Sequence, residues 1–381
     1  MEWRSTPYSQ QHSVLLIRED IHTVRLPPGK HIDCTLDAFS LFFDKEITDM
    51  IVKYTNIEGQ RVAADKWKRT DPIEVRAFIG LVINAGLKKG GISKIGEFWD
   101  PLHGNPLFRA CMSRNRFANL RRHLRFDDKS TRSARRDKFA PFRDFWEIVN
   151  QNLSKHYIPG PILTIDEQLV PYRGKVSFLQ YVPSKPDKYG IKIFWICDSS
   201  NSYPLNGIPY LGQERPNREQ NMAQRCVEEL CTPFQSSNRC ITYDNFFTSC
   251  ELAQSLLKMG LTSVGALRKN KNSIPPAFLP HRHREVESNI FGFRKNITLV
   301  SYVPKKNKAV LLLSTLHHNA EIDVNNKNKS TINTFYNTTK VGVNLLDQMA
   351  QSFTARRKTN RWPNVLFYNL VDVCAIAAKI I

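Results

Sequence analysis

The stretch HYIPGPILTIDEQLV, residues 156–170, divides the chain into two parts of different character. Pro159 and Gly160 interrupt whatever precedes them, and the run from Ile162 is rich in β-branched and apolar side chains, which reads as a buried strand. Asp166 follows ILTI in that run. An acid at the tip of a buried strand is held by rigid backbone while its carboxyl head can reach a cleft.

Upstream of this divide the pattern is mainly helical. The apolar spacing from Thr35 to Tyr54 predicts one amphipathic helix. Residues 71–87 begin with Asp-Pro, a helix start, and meet Gly86 and then Gly90-Gly91 as stops. Residues 113–126 read as a helix with a strongly basic face, and 138–157 as a fourth. Residues 127–136, DDKSTRSARR, read as a polar loop, and residues 1–35 as an irregular arm.

Downstream, FLQYVP (178–183), GIKIFWICD (190–198) and RCITYD (239–244) read as strands, with helices over 217–231 and 251–260. TSVGAL (262–267), ITLVSYV (297–303) and KAVLLLST (308–315) are further strand candidates. NLLDQMAQSF (344–353) and PNVLFYNLVDVCAIAAKI (363–380) read as closing helices. Strands mixed with helices after a helical part predict an α/β core behind an α-helical domain.

The composition allows a sizeable core, with 41% hydrophobic residues in 381. Lys and Arg number 55 against 35 Asp and Glu, a formal charge of +20. Such a surface attracts polyanions, and nucleic acid is the usual one. The N-terminus MEWRSTPYSQQ shows no apolar signal core, and the apolar run from Phe367 carries Asn369, Asp372 and Lys379, so a membrane is not expected. The 8 cysteines contain no CxxC pair. Cys226 and Cys231 are weak zinc spacing, and ordinary reduced thiols are expected. The NxS/T triplets at Asn152, Asn296, Asn328 and Asn337 are read as chance matches.

Three acids follow strand-like runs: Asp166, Asp198 and Asp244. A lone Asp in that position is more often a turn former or helix cap, and spacing alone does not show that any of them converge. In GVNLLDQM (342–349), Asn344 and Asp347 stand three apart and share a face if the stretch is helical.

HYIPGPILTIDEQLVPYRG, SFLQYVPSKPDKYGIKIFWICDS, ITYDNFFTS, YNTTKVGVNLLDQM and RKTNRWP resemble, in this order, the signature blocks of the piggyBac family of DDE transposases. FSLFFDKEITDMIVKYTN and EVRAFIGLVINAGL add upstream matches, so the resemblance covers roughly residues 36 to 381. It implies an α/β (α+β) fold: a ribonuclease-H-like catalytic core with a β-rich insertion, preceded by a mainly helical N-terminal domain. The implied boundaries are an arm at 1–35, a helical DNA-binding or dimerisation domain at 36–157, core at 158–260, insertion at 261–330 and core again at 331–381. The family's Cys-rich C-terminal module is expected to be absent.

The resemblance also implies chemistry. Family members cut transposon ends and join them to double-stranded DNA at TTAA targets by metal-assisted attack on phosphodiesters. The catalytic positions fall on Asp166, Asp244 and Asn344, with a further functional acid at Asp347. Asp166, Asp244 and Asp347 are the expected ligands of Mg²⁺ or Mn²⁺ in a two-metal site. Val341-Gly342-Val343-Asn344 stands where the family has Gly-Gly-Val-Asp, so one carboxylate has become an amide. The amide brings no charge to offset a cation, and impaired activity is expected. Asp198 matches a position with no catalytic role.

DNA contacts are expected from Lys185, Lys188 and Lys192, interleaved with aromatics, and from Arg356, Arg357, Lys358 and Arg361 after the catalytic helix. The resemblance implies a nuclear homodimer with no small-molecule substrate. The alternative is a catalytically inactive, host-adopted DNA or chromatin binder.

Overall fold

The computed structural model describes residues 3–8, 22–87, 95–212, 222–271, 274–352 and 354–381. Its first part is helical: α1 (Thr35–Phe42), α2 (Lys45–Ala63), α3 (Pro72–Leu87), α4 (Pro106–Cys111), α5 (Arg114–His123), α6 (Arg132–Arg135) and α7 (Arg143–Lys155). The single helix expected over 35–54 is two. Asp44 accepts a hydrogen bond from the Ile47 amide at 3.0 Å and so starts a second helix, an N-cap that periodicity alone does not reveal. The helix from Asp71-Pro72 starts as expected, its Asp71 side chain accepting from the Glu74 amide at 2.8 Å. Its Gly90-Gly91 stop lies outside the described residues. The basic stretch expected as a loop holds the short α6. The arm is not loose throughout: β1 (Thr23–Val24) pairs antiparallel with β2 (Tyr157–Ile158), and Arg4 bridges to Phe293.

The second part is built on one mixed sheet. Its strands are β3 (Ile162–Pro171), β4 (Gln180–Tyr181), β5 (Tyr189–Asp198), β6 (Pro204–Pro209), β7 (Cys240–Tyr243), β8 (Thr262–Ala266), β9 (Asn289–Arg294), β10 (Ile297–Lys305) and β11 (Lys308–Ser314). The order is β4-β5-β3-β7-β8-β11-β10-β9, with β6 also on β5. β3, β7 and β8 run parallel, and the other pairings are antiparallel. Of the strands within the expected insertion at 261–330, β8 to β11 continue this sheet. A separate ribbon joins β12 (Ile322–Asp323) to β13 (Lys329–Ser330). The sheet is covered by α8 (Met222–Cys231), α9 (Cys250–Lys258), α10 (Thr331–Thr339), α11 (Gly342–Ser352) and α12 (Trp362–Ile380). Residues 217–221 of the helix expected over 217–231 lie outside the described residues.

The mixed α/β architecture matches the sequence reading. The same apolar core runs through both parts: Phe43, Phe126 and Phe145 surround Phe367 of α12 with ring centroids 5.2–6.3 Å apart. α12 has the length and apolarity to cross a bilayer, yet most of it is buried inside the protein, the mark of a central core helix. Fully burying each such aromatic or aliphatic side chain is worth about 1.5–3 kcal/mol. The core therefore fixes the helical part against the face of the sheet where α11 lies.

Candidate active site

Parallel pairing of β3 and β7 sets Ile165 opposite Tyr243. The next residue on β3 is Asp166 and the residue just past the end of β7 is Asp244, so two acids far apart in sequence line one cleft. Asp166 is not at a strand tip, as the sequence suggested, because β3 continues to Pro171 along β5. The end of β7 creates the opening, and Asp244 leads directly into a turn, its carbonyl accepting from the Phe247 amide.

The third wall is α11. Its first residue is Gly342, where an added Cβ would come within 3.2 Å of Thr164 Oγ1. This close approach brings Asn344 over β3, where its Nδ2 donates to Asp166 Oδ2 at 3.0 Å. A hydroxyl network holds the preceding helix end. Thr164 and Ser199 both donate to the Thr339 carbonyl, the latter at 3.1 Å, and the Thr242 and Thr339 hydroxyls are 2.9 Å apart.

The cleft has a volume of 270 Å³ and is lined by Ile165, Asp166, Glu167, Lys185, Tyr243, Asp244, Tyr336, Lys340 and Asn344. Burial, with the nearby Glu167 and Asp244 charges, pushes the Asp166 carboxyl up to about 6. Burial raises the Tyr336 phenol, which stays protonated and bonds Asp244. A cleft carboxyl whose proton affinity is raised chiefly by burial is a frequent mark of a functional site.

Asp347 lies one turn further along α11 and takes a different partner. Gln168 Nε2 donates to its Oδ1 at 3.1 Å, and burial raises its carboxyl. Gln168 Oε1 in turn accepts from Trp195 and Asn369 at 2.9 and 3.1 Å. Asp347 does not line the cleft, and among the described residues no group of three His, Cys, Asp or Glu side chains is placed to hold a metal. The two carboxylates that line the cleft, Asp166 and Asp244, offer hard oxygen atoms of the kind that suit Mg²⁺. Asp198 is a structural hub: its carboxylate accepts from the Gly160 amide and the Tyr157 hydroxyl at 2.8 and 3.1 Å.

The basic residues divide by environment. Lys185 Nζ donates to the Glu167 carbonyl at 2.9 Å on the wall of the cleft. Lys188 is exposed, beside the exposed Tyr181–Tyr189 ring pair, 4.8 Å between centroids. Lys192 is enclosed by Phe194, Tyr210 and Phe246, 4.8–5.0 Å from each ring centroid, and burial lowers its pKa. Arg356 and Lys358 are exposed. Arg357 is buried and donates to the Arg356 carbonyl at 2.5 Å. Arg361 donates to the Arg122 and Leu124 carbonyls, and burial lowers it to about 10. These last two tie the chain after α11 to the helical part.

Sequence reasoning passed over Glu167, Tyr336, Lys340 and Gln168. Two of them carried a signal: Lys340 stands four residues before Asn344, and Gln168 shares a strand face with Asp166. Cys34 and Cys111 are exposed thiols and the other six cysteines are buried and free.

A family model described as Transposase IS4 matches residues 34–378. Human PiggyBac transposable element-derived protein 3 is 26% identical over 267 residues, 68% of this chain and 44% of that protein. Human PiggyBac transposable element-derived protein 2 is 25% identical over 288 residues, 72% of this chain and 46% of that protein. The chain thus spans less than half the length of these relatives. A cryo-EM structure of a piggyBac transposase synaptic complex with hairpin DNA superposes with a TM-score of 0.87 at 40% identity, over 92% of this chain and 74% of that one. An acid pair on adjacent parallel strands, a facing helix and these matches over nearly the whole length place the chain in the IS4-type DDE transposase family, as a piggyBac-like member.

Proposed function

We propose that this chain binds double-stranded DNA in the nucleus as a homodimer and sets a phosphodiester in the Asp166–Asp244 cleft, with metal-dependent strand cleavage and transfer at TTAA sites impaired by Asn344. The observation that carries this reading is the Asn344 amide, which donates to Asp166 from the helix where the family has a carboxylate. The order β6-β5-β3-β7-β8, with only β3, β7 and β8 parallel, supports a ribonuclease-H-like core.

Asp166 and Asp244 would hold the cation, with Asp347 kept in the proposed ligand set by its place on the same helix. A bound Mg²⁺ or Mn²⁺ would polarise the phosphodiester and acidify a water or 3′-hydroxyl. The chain's own side chains do the rest. Tyr336 orients Asp244, Asn344 orients Asp166, and Lys185 brings positive charge to the wall. Asn344 also leaves the site one negative charge short.

Asn344→Asp is expected to raise Mg²⁺- or Mn²⁺-dependent nicking of TTAA-flanked duplexes tenfold or more, about 1.4 kcal/mol of transition-state stabilisation. No gain over wild type would sink the impaired-enzyme account. The second reading, a host-adopted DNA or chromatin binder without catalysis, is favoured by Asp347, whose carboxylate is committed to Gln168. It requires salt-sensitive DNA binding with nicking absent in both proteins.

A further inference from the structure

The cleft carries positive charge beside its three carboxylates. Lys185 and Lys340 both line it. Lys185 is fixed through the Glu167 carbonyl, a neutral acceptor that leaves its charge intact. Lys340 caps the end of α10, its amide donating to the Tyr336 carbonyl at 3.0 Å, and its Nζ lies 5.1 Å from the Tyr336 ring centroid. A cation at a helix C-terminus is favoured by the helix dipole, and a ring face orients it without neutralising it. Among the described residues neither lysine is within ion-pair distance of a carboxylate. Two ammonium groups are therefore held toward one opening by uncharged contact partners, beside the Asp166, Glu167 and Asp244 carboxylates of the same cleft, and the Lys185 charge acts on Asp166.

We propose that Lys340 and Lys185 form a phosphate-binding pair at the mouth of the cleft, which receives a backbone phosphodiester of DNA and offsets its repulsion by the neighbouring carboxylates. This rests on the DNA-binding reading above. The pair reads charge and spacing and carries no base preference, since phosphate contacts position a duplex without specifying sequence. Positive charge here would also offset the charge brought by the phosphate beside Asp166 and Asp244.

The test is fluorescence anisotropy of a labelled random-sequence duplex, titrated with full-length protein in EDTA over a range of salt. Each of Lys340→Gln and Lys185→Gln is expected to lower the slope of log affinity against log salt by about one, equally on any sequence. Lys340→Arg and Lys185→Arg are expected to keep the wild-type slope, which separates lost charge from damaged fold. Circular dichroism and melting curves check folding of each variant. If wild type shows a steep slope and either Gln variant leaves it unchanged, the pair is overturned while DNA binding stands. If wild type itself shows a flat slope, DNA binding falls and the pair with it.

Discussion

Gln168 is buried at the junction of β3, β5, α11 and α12, and each atom of its amide is used. It donates to Asp347 and accepts from Trp195 and Asn369. Leucine at this position would fill similar space, strand the Trp195 and Asn369 donors and take one of two hydrogen bonds from the Asp347 carboxylate. Each unsatisfied buried group costs about 1–3 kcal/mol. Gln168→Leu is therefore expected to lose about 3 kcal/mol or more in urea unfolding, and a loss below about 1 kcal/mol would contradict this accounting. The apolar strand with an amide inside it was visible in the sequence. Its partner, 179 residues away, was not, because neither neighbour of Asp347 advertises a strand.

The approach of α11 to β3 depends on Gly342. Gly342→Val would push branched carbons against Thr164 and the Asp198 carbonyl, and overpacking of this kind costs about 1–3 kcal/mol. Gly80, in the middle of α3, has open space where a Cβ would sit. Gly80→Ala is expected to stabilise by about 0.5–1 kcal/mol, so urea midpoints should move in opposite directions. β11 and α10 meet at His317. Its ring packs edge-on against Phe335, and Ser314 Oγ lies 2.9 Å from Nδ1. Ser314 Oγ already accepts two backbone amides, so its proton goes to a neutral imidazole. Burial, with His318 beside it, lowers His317 to about 4. The unfolded chain then takes up a proton first, near pH 6.5. Stability is full above that value and is lost as pH falls toward 4, by at most about 3 kcal/mol. His317→Asn should flatten melting temperature against pH across this window, and an unchanged profile would exclude the histidine as its source.

The elements that sequence reasoning missed have physical reasons. α10, TINTFYNTT, is made of poor helix formers. It is held by the Ser330 cap on the Asn333 amide at 3.1 Å and by burial of Ile332 and Tyr336. β6, PLNGIP, carries proline and glycine, which argue against a strand, and it survives at the edge on β5. β9, NIFGFR, contains Gly292, seated under Trp3 and Phe278.

At the scale of the whole molecule, the charge of +20 and the α/β layering were legible from composition and pattern. The meeting of Asp166 with Asp244 was carried only by resemblance to a family, because parallel neighbours are joined by long crossovers that leave no local trace. Exposed Arg356 and Lys358 are expected to contribute to DNA affinity, whereas Arg357 and Arg361 hold carbonyls of the fold. Arg356→Gln with Lys358→Gln should lower the salt slope of binding without changing the urea midpoint, and Arg361→Gln should lower that midpoint. The reverse pattern would reassign both pairs.

The pairing of Arg4 with Phe293 has its own consequence. Both backbone hydrogen bonds are made, at 3.0 and 2.8 Å, and Trp3 packs beside them with the Arg294 guanidinium over its ring. The outermost strand of a large sheet would otherwise offer open backbone to a second molecule. Trp3 and Arg4 cover this rim at Phe293. Deleting residues 1–8 should turn a monodisperse sample into one whose light scattering climbs with concentration, while a truncated protein that stays monodisperse would show the rim to be harmless.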